Sequence, residues 1–317
     1  MTNNIAIITG GVSSERDVSL QTADAVSNSL ERSNIRHEVF TITDFKELLN
    51  LDLSKFTRVF LALHGGFGEN GMAQSYLEAL GIPYNGPSPQ TSAICMDKLL
   101  TKHVAQGLGI SVANYMYFKT KCTVDFQTVQ ARLGNTCIVK PNREGCSFGV
   151  SLIRGNSFDF LTAINRAEEF KTGILIEEFI TGPELSVSYY YGCLLPVYTL
   201  DFESEFFSYD AKFTSTKTTA TLATLDKNCY RKLDIDCLAI AQALDLDYFR
   251  ADFIIHNSAP YLIELNTLPG LTSHSLFPKA CLEHGISFDD LILRLNNLHR
   301  SGAPSLKHDL PHEKKTK

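Results

Sequence analysis

The chain has 317 residues, 44% of them hydrophobic and 20% charged, which excludes a disordered, fibrous or collagen-like protein and suggests about two or three domains with their own cores. Its formal net charge of -6, without a long Lys/Arg block, supplies no basic surface for a nucleic-acid partner. Its apolar stretches, such as 189–200, are shorter than the ~18 residues of a membrane span, and the N-terminus lacks a signal-peptide pattern, so a cytoplasmic protein with no membrane partner is expected.

Over the first hundred residues strands are predicted at 5–9, 37–42 and 58–63, and helices at 18–33 and 72–80. Such alternation predicts a parallel sheet covered on both faces. Glycines close two of these strands, at Gly10-Gly11 and in segment 64–71, where His64 and Glu69 stand among glycines. Ligands gather at such strand ends in open α/β sheets. A first unit, 1–88, ends in a turn-rich stretch at 81–89. The second, 89–181, has a helix at 96–107 carrying Lys98 and Lys102, strands at 115–118, 136–141, 150–153 and 174–179, and a helix near 158–170. The third, 182–300, opens with a strand on which Leu185, Val187, Tyr189 and Tyr191 share a face. A helix at 228–244, a hairpin at 248–266 and helices within 276–299 follow, and 301–317 reads as a loose tail. The fold class is α/β, with an N-terminal parallel α/β domain, a small central α+β domain and a larger mixed-sheet C-terminal domain. The eight cysteines are scattered without CxxC or Cys/His ligand spacing, so free thiols are expected.

Two constellations carry chemistry. Lys140 ends an otherwise apolar strand, just before a loop with Gly145 and Gly149. A buried lysine needs an anionic partner, and a glycine loop with hydroxyl and N-H donors suits phosphate oxygens. The Walker pattern is absent. In the hairpin, a turn centred on Ser258 pairs Ala251 with Leu265, Phe253 with Ile263 and Ile255 with Tyr261 on one apolar face. The other face then sets Asp252 against Glu264 and Arg250 against Asn266. Opposed carboxylates repel across a sheet, so this register implies a cation between them. The oxygen-rich trio Asp252, Glu264 and Asn266 suits Mg2+, with nucleotide phosphates completing its shell.

These residues resemble the ATP-grasp ligases, and among them the D-alanine-D-alanine ligase family. The matching pieces are Gly10-Gly-Val-Ser-Ser-Glu-Arg-Asp-Val-Ser19, His64-Gly-Gly-Phe-Gly-Glu-Asn-Gly71, Met96-Asp-Lys98, Val139-Lys-Pro-Asn-Arg-Glu-Gly145, Gly182-Pro-Glu184, Arg250-Ala-Asp252 and Glu264-Leu-Asn-Thr-Leu-Pro-Gly-Leu-Thr-Ser-His-Ser-Leu276, in the family's order. The resemblance implies a three-domain ATP-grasp fold with ATP between the central and C-terminal domains. Lys98, Lys140, Glu144 and Ser147 would meet phosphates or their surroundings, Glu177, Glu178, Phe179 and Ile180 adenine, and Glu184 ribose. Asp252, Glu264 and Asn266 would hold two Mg2+ ions, with Mn2+ as a substitute. The implied chemistry phosphorylates the carboxylate of one D-alanine, and the amine of a second then expels phosphate, for peptidoglycan. Arg250 and the Gly270 backbone would stabilise developing charge. Glu15 would pair with the first ammonium near His64, while Ser275 and the Leu276 N-H would take the second carboxylate. A homodimer is expected by the same resemblance.

Two positions depart from the family pattern. Cys146 stands where serine is common, and Phe213 where tyrosine is common, so the hydrogen-bonded link from Glu15 to a flexible loop must be weaker or rebuilt, with Lys212 carrying more of loop closure. The alternatives are a ligase joining D-alanine to D-lactate and a non-catalytic nucleotide-binding relative. A dinucleotide site is disfavoured because GxGxxG is absent after the first strand.

Overall fold

Near-continuous apolar runs in the first and third strands bury the N-terminal sheet from both sides. The computed structural model describes residues 3–119, 124–201 and 219–298. Strands β1 (Asn4–Gly10), β2 (Arg36–Ile42) and β3 (Arg58–Ala62) form a parallel sheet in the order β2-β1-β3. Helices α1 (Arg16–Arg32), α2 (Phe45–Leu49) and α3 (Met72–Ala79) belong to this unit. Two short helices follow, α4 (Pro89–Met96) and α5 (Lys98–Gly107). The single helix expected at 96–107 thus starts two residues later. Asp97 breaks the chain with extended backbone and then caps α5, accepting from Leu100 N at 3.0 Å.

The central sheet is antiparallel, in the order β4-β7-β5-β6, from β4 (Tyr115–Phe118), β5 (Thr136–Pro141), β6 (Ser151–Arg154) and β7 (Ile174–Glu178). Alternation sends Cys137, Val139, Ile174 and Ile176 into a core with α6 (Phe126–Leu133) and α7 (Ser157–Glu168). Ile138, Lys140 and Glu177 consequently project from the opposite face, onto the cleft.

The third sheet has the order β11-β10-β8-β12-β13, with β9 paired to β8. Its strands are β8 (Glu184–Tyr190), β9 (Cys193–Leu194), β10 (Tyr198–Asp201), β11 (Thr219–Leu222), β12 (Tyr248–His256) and β13 (Ala259–Asn266). Its ladders are antiparallel, and Val112 adds a parallel bridge to Leu262. Tyr191 does not extend the apolar face of β8 as expected, because the chain turns there at φ 44°. Beneath the sheet, α8 (Lys227–Leu244) packs Leu233, Cys237 and Ile240 against Leu185, Val187, Phe249 and Phe253. The C-terminal helical stretch divides at Gly285, φ 87°, into α9 (Leu276–Glu283) and α10 (Phe288–Leu295). Both contribute to a core shared with α1, β1 and β3, so the chain's last helices pack onto its first unit.

Hairpin register departs from expectation in one informative respect. Asn257 and Ser258, both at positive φ, make the two-residue turn, so His256 pairs with Ala259, Phe253 with Leu262 and Ile255 with Pro260, rather than with Ile263 and Tyr261. A regular ladder from that turn would place Asp252 opposite Ile263 and Glu264 on the core side. A bulge past Phe253 takes up one extra residue and restores the expected pairs Asp252–Glu264, Ala251–Leu265 and Arg250–Asn266.

Candidate active site

The central and C-terminal sheets turn their non-core faces toward each other across a cleft of about 730 Å3. Thr136, Ile138, Lys140, Glu177, Glu178, Phe179 and Ile180 line one wall, Glu184, Asp252, Ile254, Ile263 and Glu264 the other, with Lys98, Glu144 and Ser147 at one end. The predicted nucleotide residues are therefore together. Ile263, the bulge residue, joins the apolar lining unanticipated.

Lys140 is buried and finds its anion in Glu177, with Nζ 2.8 Å from Oε2. Lys102 on α5 takes the other oxygen at 2.7 Å. Burial alone would raise the Glu177 carboxyl, but Lys102 and then Lys140 hold it down at about 2. The Glu178 carboxylate is engaged by Asn114, which donates its backbone N-H at 2.8 Å and its side-chain amide at 3.0 Å. These side chains thus have protein partners, a contact pattern not visible in their spacing alone.

A smaller recess of about 50 Å3 adjoins the cleft where Lys98, Glu144 and Glu264 meet Glu15, Glu69, Cys146, Arg250 and Asn266. The Lys98 ammonium donates to the Glu144 carbonyl and lies 3.4 Å from Glu264 Oε2. Asn142 anchors α5 to the glycine loop, accepting from Lys98 N and Leu99 N, and Arg143 donates to Asp97 at 2.8 Å. Burial and nearby Glu15 raise the Glu144 carboxyl, with Lys98 opposing them. Within the loop, Cys146 and Ser147 both adopt positive φ, and the Cys146 thiol donates to Glu15 Oε1. Cys146 thus makes the Glu15 half of the network read from the sequence, and the Phe213 half lies outside the described residues. The Glu15 carboxylate sits between Gly65 and Gly145, where an added Cβ would lie 2.7 and 2.8 Å from Oε2.

Across the recess Arg250 forms a two-pronged bridge to Asp252, with Nε to Oδ1 and Nη2 to Oδ2 both at 3.0 Å. Burial would lower the guanidinium's pKa, but Asp252 and Glu264 hold it charged and raise it. The opposed carboxylates consequently already face cationic side chains, Arg250 and Lys98, so their pairing alone does not require a metal. Among the described residues no group of three or more His, Cys, Asp or Glu gathers as a metal site. An independent observation does fit a cation: Asn266 Oδ1 is buried without a hydrogen-bond partner beside these carboxylates.

The remaining candidates lie just behind the recess. His64 is buried, lowered in pKa by that burial and so neutral, with Nε2 2.9 Å from Thr22 Oγ1. Ser275 stands at the start of α9, its hydroxyl 2.9 Å from Thr272 Oγ1 and accepting from Thr272 N at 3.1 Å. It makes no side-chain cap on the first backbone N-H groups of α9. Gly270 packs against it, since a Cβ there would lie 2.8 Å from Ser275 Oγ. Lys212 and Phe213 lie outside the described residues. Glu69 was legible only as an ionisable group in a glycine segment. It accepts from Gly65 N at 2.6 Å, and burial, then Glu15, raises it to about 8.

A nucleotide-sized cleft between two sheets, with Lys98 at one end, Lys140 on one wall and paired acids on a hairpin, fits the ATP-grasp class of enzyme. Residues 104–297 match the family model described as D-ala D-ala ligase C-terminus. A D-alanine-D-alanine ligase of Clostridium botulinum (strain Loch Maree / Type A3) is 37% identical over 290 residues, covering 91% of this chain and 95% of the relative. The crystal structure of the Bacillus anthracis D-alanine-D-alanine ligase superposes with TM-score 0.84 at 31% identity, covering 94% of this chain and 97% of that one. Its complex with ATP gives 0.81 at 30% identity, covering 93% and 96%. The chain belongs to the D-alanine-D-alanine ligase family, whose members are ATP-dependent ligases.

Proposed function

We propose that the chain joins two D-alanine molecules, using ATP to convert the first carboxylate to an acyl phosphate that the second amine attacks. The carrying observation is the junction itself: the nucleotide-sized cleft opens at Lys98, Glu144 and Glu264 into a recess walled by Glu15 and Arg250. A phosphoryl donor and an amino acid can meet there. Lys98 and Lys140 bind phosphates, the Ser147 loop covers them, the 177–180 segment receives adenine, and Glu184 receives ribose. Asp252, Glu264 and the orphaned Asn266 oxygen hold two Mg2+ ions, or Mn2+ in their place. When bound, these ions neutralise charge on the phosphates.

Glu15, held by Cys146, binds the first ammonium, and His64 backs it. Arg250 and the Gly270 N-H stabilise the charge that grows on the transferring phosphoryl group and then on the tetrahedral carbon. Ser275 and the Leu276 N-H orient the second carboxylate, and Lys212, outside the described residues, is the remaining candidate for a catalytic role. Family membership extends the proposal to a cytoplasmic homodimer supplying the dipeptide for peptidoglycan, with no nucleic-acid or membrane partner.

The test is phosphate release from ATP with D-alanine alone, then with D-lactate added, identifying products by mass. D-alanyl-D-alanine as the product confirms the proposal. A predominant ester of D-alanine and D-lactate reassigns the second substrate, and absence of D-alanine-stimulated release overturns the reading.

A further inference from the structure

We infer that Lys102, a fully buried residue outside the cleft lining, is a positioning residue that keeps Lys140 electrostatically available to the nucleotide phosphates by sharing the Glu177 carboxylate. This rests on the reading that ATP occupies the cleft. Lys102 is 1% exposed and lies 2.7 Å from one Glu177 oxygen, while Lys140 lies 2.8 Å from the other. Lys140 and Glu177 line the cleft, but Lys102 does not. It stands behind them on α5, its ammonium 5.7 Å from the centre of the Tyr115 ring.

Two cations on one anion leave this buried cluster with a net positive charge on the cleft side. Were Lys102 absent, Glu177 and Lys140 would close into a neutral pair, and an incoming phosphate would compete with Glu177 for Lys140. With Lys102 present, Glu177 divides its charge, and an anion entering the cleft completes the cluster. Unscreened burial makes such a charge imbalance consequential. A purely structural bolt between α5 and the central sheet would instead stabilise the fold without distinguishing phosphate from the rest of the nucleotide.

The experiment measures binding of ADP and adenosine to the full chain in magnesium chloride, by calorimetry, for wild type, K102M, K102R and K102M/E177Q. K102M should weaken ADP on the order of tenfold and leave adenosine within about twofold. K102R should recover most of the loss. Removing the anion as well, in K102M/E177Q, restores the net charge and should improve the ADP-to-adenosine affinity ratio over K102M. K102Q serves as the second single variant if K102M does not fold. Equal weakening of ADP and adenosine, an unchanged ratio, or a double variant no better than the single one overturns the inference. D-alanine is absent from this measurement, so failure of the ligase reading shows separately, as wild-type ATP that D-alanine does not cause to be cleaved.

Discussion

Arg250 grips Asp252 through two parallel donors while lying beside Glu264 and Cys146, so its planar fork orients a carboxylate and faces the recess at once. Lysine offers a point charge without that geometry. Arg250→Lys should lower kcat by about a hundredfold and leave the KM for ATP nearly unchanged, as read from steady-state kinetics. Equal turnover would remove Arg250 from charge stabilisation. Glu69 makes a different prediction. With its carboxyl raised to about 8 by burial and Glu15, it holds its proton at pH 7 in the ligand-free protein. An ammonium entering beside both carboxylates favours their ionised forms and should expel up to about one proton. D-alanine binding enthalpy should therefore vary with the ionisation enthalpy of the buffer, and Glu69→Gln should abolish that variation. Of these two residues Arg250 was readable from its place before Asp252. Glu69 was not, because its shift comes from burial in the folded chain and then from Glu15, 54 positions away.

Among the elements, the hairpin of β12 and β13 shows how local rules can be followed and still mislead. Its alternation predicted the Asp252–Glu264 pair, which is present, but from a turn one residue out of place. The true turn, Asn257-Ser258, and the bulge cancel. Both turn residues stand in the left-handed region, where asparagine is tolerated and serine is not favoured. Ser258→Gly should raise stability by about 1 kcal/mol, seen as a higher denaturant midpoint with unchanged ligase activity. A lower midpoint would show that the serine side chain contributes more than its backbone costs. Elements β9, β11 and α2 escaped prediction because two to five residues carry too little periodicity to stand out.

For the molecule as a whole, stability should depend on pH through two strongly shifted carboxyls, Glu177 and Glu69. Glu177 is held at about 2 against an ordinary 4.5, so its contribution is fully present above 4.5 and lost as pH falls through 2. The span corresponds to on the order of 3 kcal/mol. Glu69, raised to about 8, works in the opposite sense: its contribution is present below 4.5 and lost as pH rises through 8. Urea unfolding of the ligand-free protein should accordingly show the contribution of these two groups greatest near pH 4.5, falling toward pH 2 on the acid side and toward pH 8 on the other. A flat acid limb would mean that Glu177 is not held by its lysines. Local patterning accounts for the main strand-helix alternation of the first unit, the apolar strand ending in Lys140, the glycine loop after it and the pairing of Asp252 with Glu264, because each rests on residues near one another in the chain. Tertiary structure alone decided that the last helices pack onto the first unit, that Glu15 touches Cys146, and that Glu177 joins Lys102 to Lys140. Such contacts join residues from 37 positions apart, as in Lys140–Glu177, to 260, as in Ser29–Asp289, and no local periodicity specifies which distant side chains a closed core will bring within hydrogen-bonding reach.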